Sequence, residues 1–159
     1  MSNQPQTVYP DPRKVKLEGR WTSVLTGPDG KVKQTVQGKN VITTNGKEWL
    51  ASYLASAAAS SATNTMKYVA IGTDSTAEAA ANTALGTEGS RHTGTVSYIS
   101  GQIYQVTSTF ATGSGTGAIV EYGLFSSNTG GTMLSRDTED VINKGANDTL
   151  TVTCQITFS

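Results

Sequence analysis

The chain has 159 residues, 12 acidic and 12 basic side chains, and a formal net charge of zero. Only 15% of its residues are charged, against roughly 25% in an average soluble domain. That excludes a basic stripe for nucleic acid or an acidic tail. No apolar run approaches the ~20 residues of a membrane helix, and the single cysteine, Cys154, excludes an intrachain disulfide.

The length fits one domain that can bury a core without disulfides or metals. The chain carries 25 Thr, 16 Ser and 17 Gly, a composition of strands joined by many turns. Scarce Lys and Glu are also a property of interface cores, which points to faces covered by neighbours.

Residues 1–16 form the first unit. They hold Pro5, Pro10 and Pro12 and no apolar core of the kind a secretory signal needs. Proline fixes φ and removes a donor, so this segment is expected to be an extended arm that reaches an adjacent subunit. Residues 17–159 are expected to form a single domain. Two alternating runs, 17–25 and 31–37, flank Gly27-Pro28-Asp29-Gly30, which predicts a β-hairpin because Pro presets φ and Gly accepts φ > 0.

Residues 40–44 read as a short extended piece. Asn45 with Glu48 three residues on reads as a helix start. Leu50, Tyr53, Leu54 and Ala57 repeat at helical spacing, so one helix is expected to about residue 59, followed by a loop over 60–65. Residues 68–91, YVAIGTDSTAEAAANTALGTEGSR, open as a buried strand, stop at Gly72 and continue as a polar, Ala-rich loop broken only by Leu85. Strands are expected over 93–99 and 102–110 around a Ser100-Gly101 turn. A further apolar strand is expected over 118–125, then a turn at 128–131. A strand from Met133 is expected to fade into the charged residues Arg136 to Asp140. From 149 to 158 Leu150, Val152, Cys154, Ile156 and Phe158 alternate with polar residues, the period of a half-buried strand. Some eight strands at this spacing predict a mainly β chain, an antiparallel β-sandwich or jelly-roll-like fold with one short helix and an extended N-terminal arm.

No residue set reads as catalytic. His92 lacks a serine in a nucleophile-elbow context and reads as a surface residue. Cys154 faces the core side of its strand. Asp137, Glu139 and Asp140 do not have the spacing of an EF-hand loop and read as a solvated turn. The glycines of GSGTG (113–117) lack the Lys-Ser/Thr of a phosphate loop. Asn147-Asp148-Thr149 is a glycosylation sequon without a secretory context. No cofactor, metal, nucleic acid or membrane is expected.

Four stretches taken together resemble small virion proteins of tailed bacteriophages: NVITTNGKEWLASYLAS (40–56), the 68–91 segment, EYGLF (121–125) followed by GTMLSR (131–136), and the DTLTVT strand (148–153). The resemblance implies a non-enzymatic structural protein that binds other virion proteins. Most directly it implies a capsid decoration (cement) protein on the major capsid protein, as a homo-oligomer such as a trimer. A tail, neck or fibre-adaptor protein is the alternative. A carbohydrate-binding host-recognition module, using Trp21 and exposed tyrosines, is a third. On this reading the contact residues are Val8, Tyr9 and Arg13 of the arm and Asp74, Leu85, Glu88 and Arg91 of the loop, with Leu85 as the anchor against a neighbour.

Overall fold

The computed structural model describes residues 16–55, 66–99 and 102–159. These form nine strands and one helix: β1 Leu17–Thr26, β2 Val32–Ile42, α1 Thr44–Ala55, β3 Tyr68–Gly72, β4 Glu88–Thr93, β5 Thr95–Ile99, β6 Ile103–Phe110, β7 Gly117–Phe125, β8 Met133–Lys144 and β9 Thr149–Phe158. Val8, Tyr9 and Arg13, the 60–65 loop, the Ser100-Gly101 turn and the helix beyond residue 55 lie outside the described residues.

Every strand pairing is antiparallel, in the order β4-β3-β7-β8-β2-β1-β9-β6-β5. The expected mainly β sandwich with one short helix is present. Four of the eight pairings are consecutive hairpins, β1–β2, β3–β4, β5–β6 and β7–β8, and the other four join strands distant in sequence. The first hairpin turns where the Pro-Asp-Gly signal puts it. Gly30 has φ 76°, Gly30 N–H donates to Gly27 O at 3.0 Å, and Lys31 N–H donates to Asp29 Oδ1 at 3.1 Å.

Two corners fold the strand order into a sandwich. At one, the body of β2 pairs with β1, while its last residues Val41 and Ile42 pair with Arg136 and Ser135 of β8. At the other, only Gly94 separates β4 from β5. A Cβ there would lie 2.4 Å from Val106 Cγ1, and its N–H donates to Lys67 O at 2.7 Å. The chain passes from one layer to the other at this close approach, as strands that switch sheets do.

The inner faces meet in one core. Trp21, Phe110, Ile119, Leu150 and Val152 are at most 1% exposed, and each such side chain contributes about 1.5–3 kcal/mol by leaving water. The β3–β7–β8 layer is covered on its outer face as well. Ala70, Leu85, Phe125 and Met133 form a second apolar cluster there, with Tyr68 against it. Burial on both faces explains why β3 and the second half of β7 read as nearly continuous apolar runs.

Three sequence expectations are corrected. Residues 88–93 are a strand, paired to β3 from Tyr68↔Thr93 to Gly72↔Glu88, so Glu88 and Arg91 belong to β4. Strand β8 continues through the charged residues to Lys144, and Asp137 is fully buried rather than in a solvated turn. The helix is capped by Thr43 rather than Asn45. Thr43 Oγ1 accepts Gly46 N–H at 3.0 Å and donates to Met133 O at 2.5 Å, which ties the helix start to β8. Thr43→Ala is expected to cost about 1–2 kcal/mol and Thr43→Ser far less, measured by urea unfolding.

Candidate functional site

The outer face of the β3–β7–β8 layer is roofed by residues 73–87, the loop the sequence singled out. What holds it is a pair of charges on the strands beneath. Glu121 of β7 is 0% exposed and Arg136 of β8 is 2% exposed. Arg136 Nη2 and Nε donate to Glu121 Oε2 at 3.0 and 3.3 Å. The carboxylate also accepts three loop amides: Thr87 N–H at 2.8 Å, Gly86 N–H at 2.9 Å and Asp74 N–H at 3.2 Å. Arg136 Nη1 reaches the same loop from below, donating to Thr76 O at 3.0 Å and Asn82 Oδ1 at 3.3 Å.

A buried ion pair contributes only when the remaining donors and acceptors are satisfied. Here the loop backbone supplies those partners, so the pair and the loop need each other. The loop adds its own ties. Asp74 Oδ1 accepts Thr76 N–H at 3.0 Å and Thr76 Oγ1 at 2.8 Å, closing an Asx turn. Those bonds from Thr76, with Arg136 adding attraction, hold the Asp74 carboxyl below its ordinary range. Asn82 Oδ1 accepts Ala79 N–H at 2.6 Å. Thr44 N–H of the helix donates to Ala80 O at 2.8 Å. Thr138 Oγ1 donates to Glu78.

The four loop residues expected to make partner contacts are brought together here, but mostly facing inward. Leu85 is 8% exposed and belongs to the Ala70–Phe125–Met133 cluster of its own chain. It anchors the loop, and the expectation that it anchors a neighbour is corrected accordingly. Arg91 lies with its guanidinium 3.6 Å above the Phe125 ring. It donates to Glu88 at 2.6 and 2.9 Å, to Ser127 O at 2.9 Å and to Gly130 O at 2.7 Å, so it ties β4 to the β7–β8 turn. Asp74 and Glu88 keep partial exposure. Sequence reasoning missed Glu121 and Arg136. The available signal was one charge inside each of the apolar runs AIVEYGLF and MLSR.

Other candidate groups sit as follows. His92 lies flat on the core ring of Phe110, centroids 4.5 Å apart. Its Nδ1 is 3.2 Å from Thr109 O and its Nε2 is 2.9 Å from Ser114 Oγ. A carbonyl only accepts, so Nδ1 donates to Thr109 O, and Nε2 shares its hydrogen bond with the Ser114 hydroxyl. Burial pushes the Cys154 thiol up, consistent with a core side chain rather than a thiolate nucleophile. Trp21 is 1% exposed and out of reach of a sugar ring. Among the described residues no group of three His, Cys, Asp or Glu side chains could hold a metal ion, and no helix is long and apolar enough to cross a membrane.

The outward apolar surface concentrates elsewhere. Val96, Tyr98 and Ile99 of β5 are 40%, 78% and 36% exposed, on a strand without charge or proline that ends the sheet order.

No protein-family model, curated protein or solved structure matches this chain.

The Glu121–Arg136 geometry has a measurable consequence. Glu121→Gln, which leaves the buried guanidinium with only the more distant Asp74 carboxylate at 3.8 Å, is expected to cost about 3–5 kcal/mol and to open residues 73–87 to limited proteolysis. Combining it with Arg136→Met is expected to cost less than the sum of the single changes in a double-mutant cycle.

Proposed function

We propose that this chain is a non-enzymatic structural virion protein, a capsid decoration protein that binds the major capsid protein and copies of itself through surface contacts. The observation that carries this reading is β5, with three exposed large apolar residues in five. Single exposed apolar side chains are ordinary. An apolar, uncharged strand at the end of a sheet is the kind of surface that monomeric proteins blunt with Lys or Pro and that complexes cover. Tyr98 adds the aromatic type enriched in interface centres.

The rest of the molecule supports the same reading. A loop bonded at both ends to a buried ion pair is already ordered before it meets a partner, so binding costs little extra ordering. Low charge suits a protein surrounded by neighbours. The virion class comes from the resemblance of residues 40–56, 68–91, 121–125 with 131–136, and 148–153 to phage structural proteins. On a shell, many copies with modest individual contacts hold collectively.

The test separates binding from folding. Val96→Lys with Ile99→Lys is expected to leave stability within about 1 kcal/mol, as surface changes do, while co-sedimentation with the capsid falls at least about tenfold, the effect of ~1.4 kcal/mol. Unchanged co-sedimentation would remove β5 from the contact. Imaging that finds a few copies at the tail, rather than many over the shell, would assign the chain to an adaptor instead.

A further inference from the structure

Two acids of β8 meet over a glycine of β2. An ideal Cβ on Gly38 would lie 1.3 Å from Glu139 Oε1 and 2.8 Å from Asp137 Oδ2, so both carboxyl groups fill the space that any other side chain would take. Asp137 is 0% exposed, and neither of its oxygens accepts a well-aligned hydrogen bond. The groups that face the pair add no positive charge. They are Glu78 from the loop, Asp140 from β8, Tyr122 from β7 and Cys154 from β9. Arg136, next in sequence, points to the other face of the strand and is held by Glu121.

Two bare carboxylates in that space repel each other, and neither can donate. One proton turns the pair into an O–H···O⁻ hydrogen bond, among the strongest available to side chains. No cage for a metal exists among the described residues to do the same work. The location gives the pair leverage. Opposite Val120 the β7–β8 register slips, from Ile119↔Ile142 to Glu121↔Thr138, so Glu139 sits on a bulge, outside the β7–β8 ladder. The β2–β8 ladder beside it has two residue pairs, Val41↔Arg136 and Ile42↔Ser135, and beyond the ladder Gln34 Nε2 donates to Val141 O at 2.9 Å.

We propose that Asp137 and Glu139 share one proton over Gly38 and act as a latch on the β2–β8 seam, closed while the proton is held and loosened when it leaves. Burial, with Glu139 and Glu78 adding repulsion, pushes the Asp137 carboxyl from its ordinary 3.8 up to about 7, and burial raises Glu139 as well. The folded state therefore holds a proton that the unfolded chain has released. The stabilisation is complete below about pH 4, declines as pH rises through about 7, and stays flat above that.

The experiment is Tm against pH from about 4 to about 9, with infrared difference spectra of the carboxyl region. The wild type is expected to lose on the order of 5–10 °C across the window and to show a carboxylic-acid carbonyl band that disappears near pH 7. Asp137→Asn should lack both the slope and the band. Glu139→Gln, on a half-buried residue, should move the loss of the band to lower pH by removing a neighbouring negative charge. The proposal is overturned by a flat wild-type profile, by an Asp137→Asn protein with the wild-type slope, or by no acid band below pH 7. It is equally overturned if millimolar calcium at about pH 8 restores the Tm seen in acid, because the pair would then be a cation site.

Discussion

The buried Glu121–Arg136 pair is the interaction on which the rest depends. Fifteen residues without regular structure are long for a loop in a compact domain. Segment 73–87 holds one shape because its amides at Asp74, Gly86 and Thr87 end on Glu121, and its carbonyl at Thr76 ends on Arg136. The dependence runs both ways. Without the loop, the ion pair would lie on an open sheet face, where such pairs contribute little. Without the pair, the loop would leave the Phe125–Met133 face open to water.

That roof changes the character of the layer below it. The β9–β1 side of the sandwich has one buried face and a clear period of two. The β3–β7–β8 layer is buried twice, by the core within and by Leu85 and its neighbours without. Arg91 fastens the edge of this layer by stacking on Phe125 and bonding the β7–β8 turn. The 73–87 loop is thus a fixed wall, and the exposed apolar surface lies on β5, across the Gly94 corner from it.

What was legible in the sequence follows from this geometry. The β1–β2 hairpin and β9 were readable because their signals are local: a Pro-Asp-Gly turn and strict alternation. The charged half of β8 was not, because Arg136 and Asp137 are buried on opposite faces of one strand, each by partners distant in sequence. Strand β4 has almost no apolar residue, and pairing to β3 rather than its own composition makes it a strand. The helix cap was misplaced because Asn45 and Glu48 mimic a capping box, while Thr43 is selected by its place beside Met133. Loop 73–87 was recognised as a fixed shape, but its anchors were not. Only the lone charges in two apolar runs hinted at them.

The most direct measurement is native-state amide hydrogen exchange of Asp74, Gly86 and Thr87 in the unaltered protein. If Glu121 and Arg136 hold the loop as described, these three amides exchange only through openings nearly as costly as global unfolding, together with the amides of β7. Exchange at the rate of an unstructured peptide at these positions, with β7 still protected, would contradict the account.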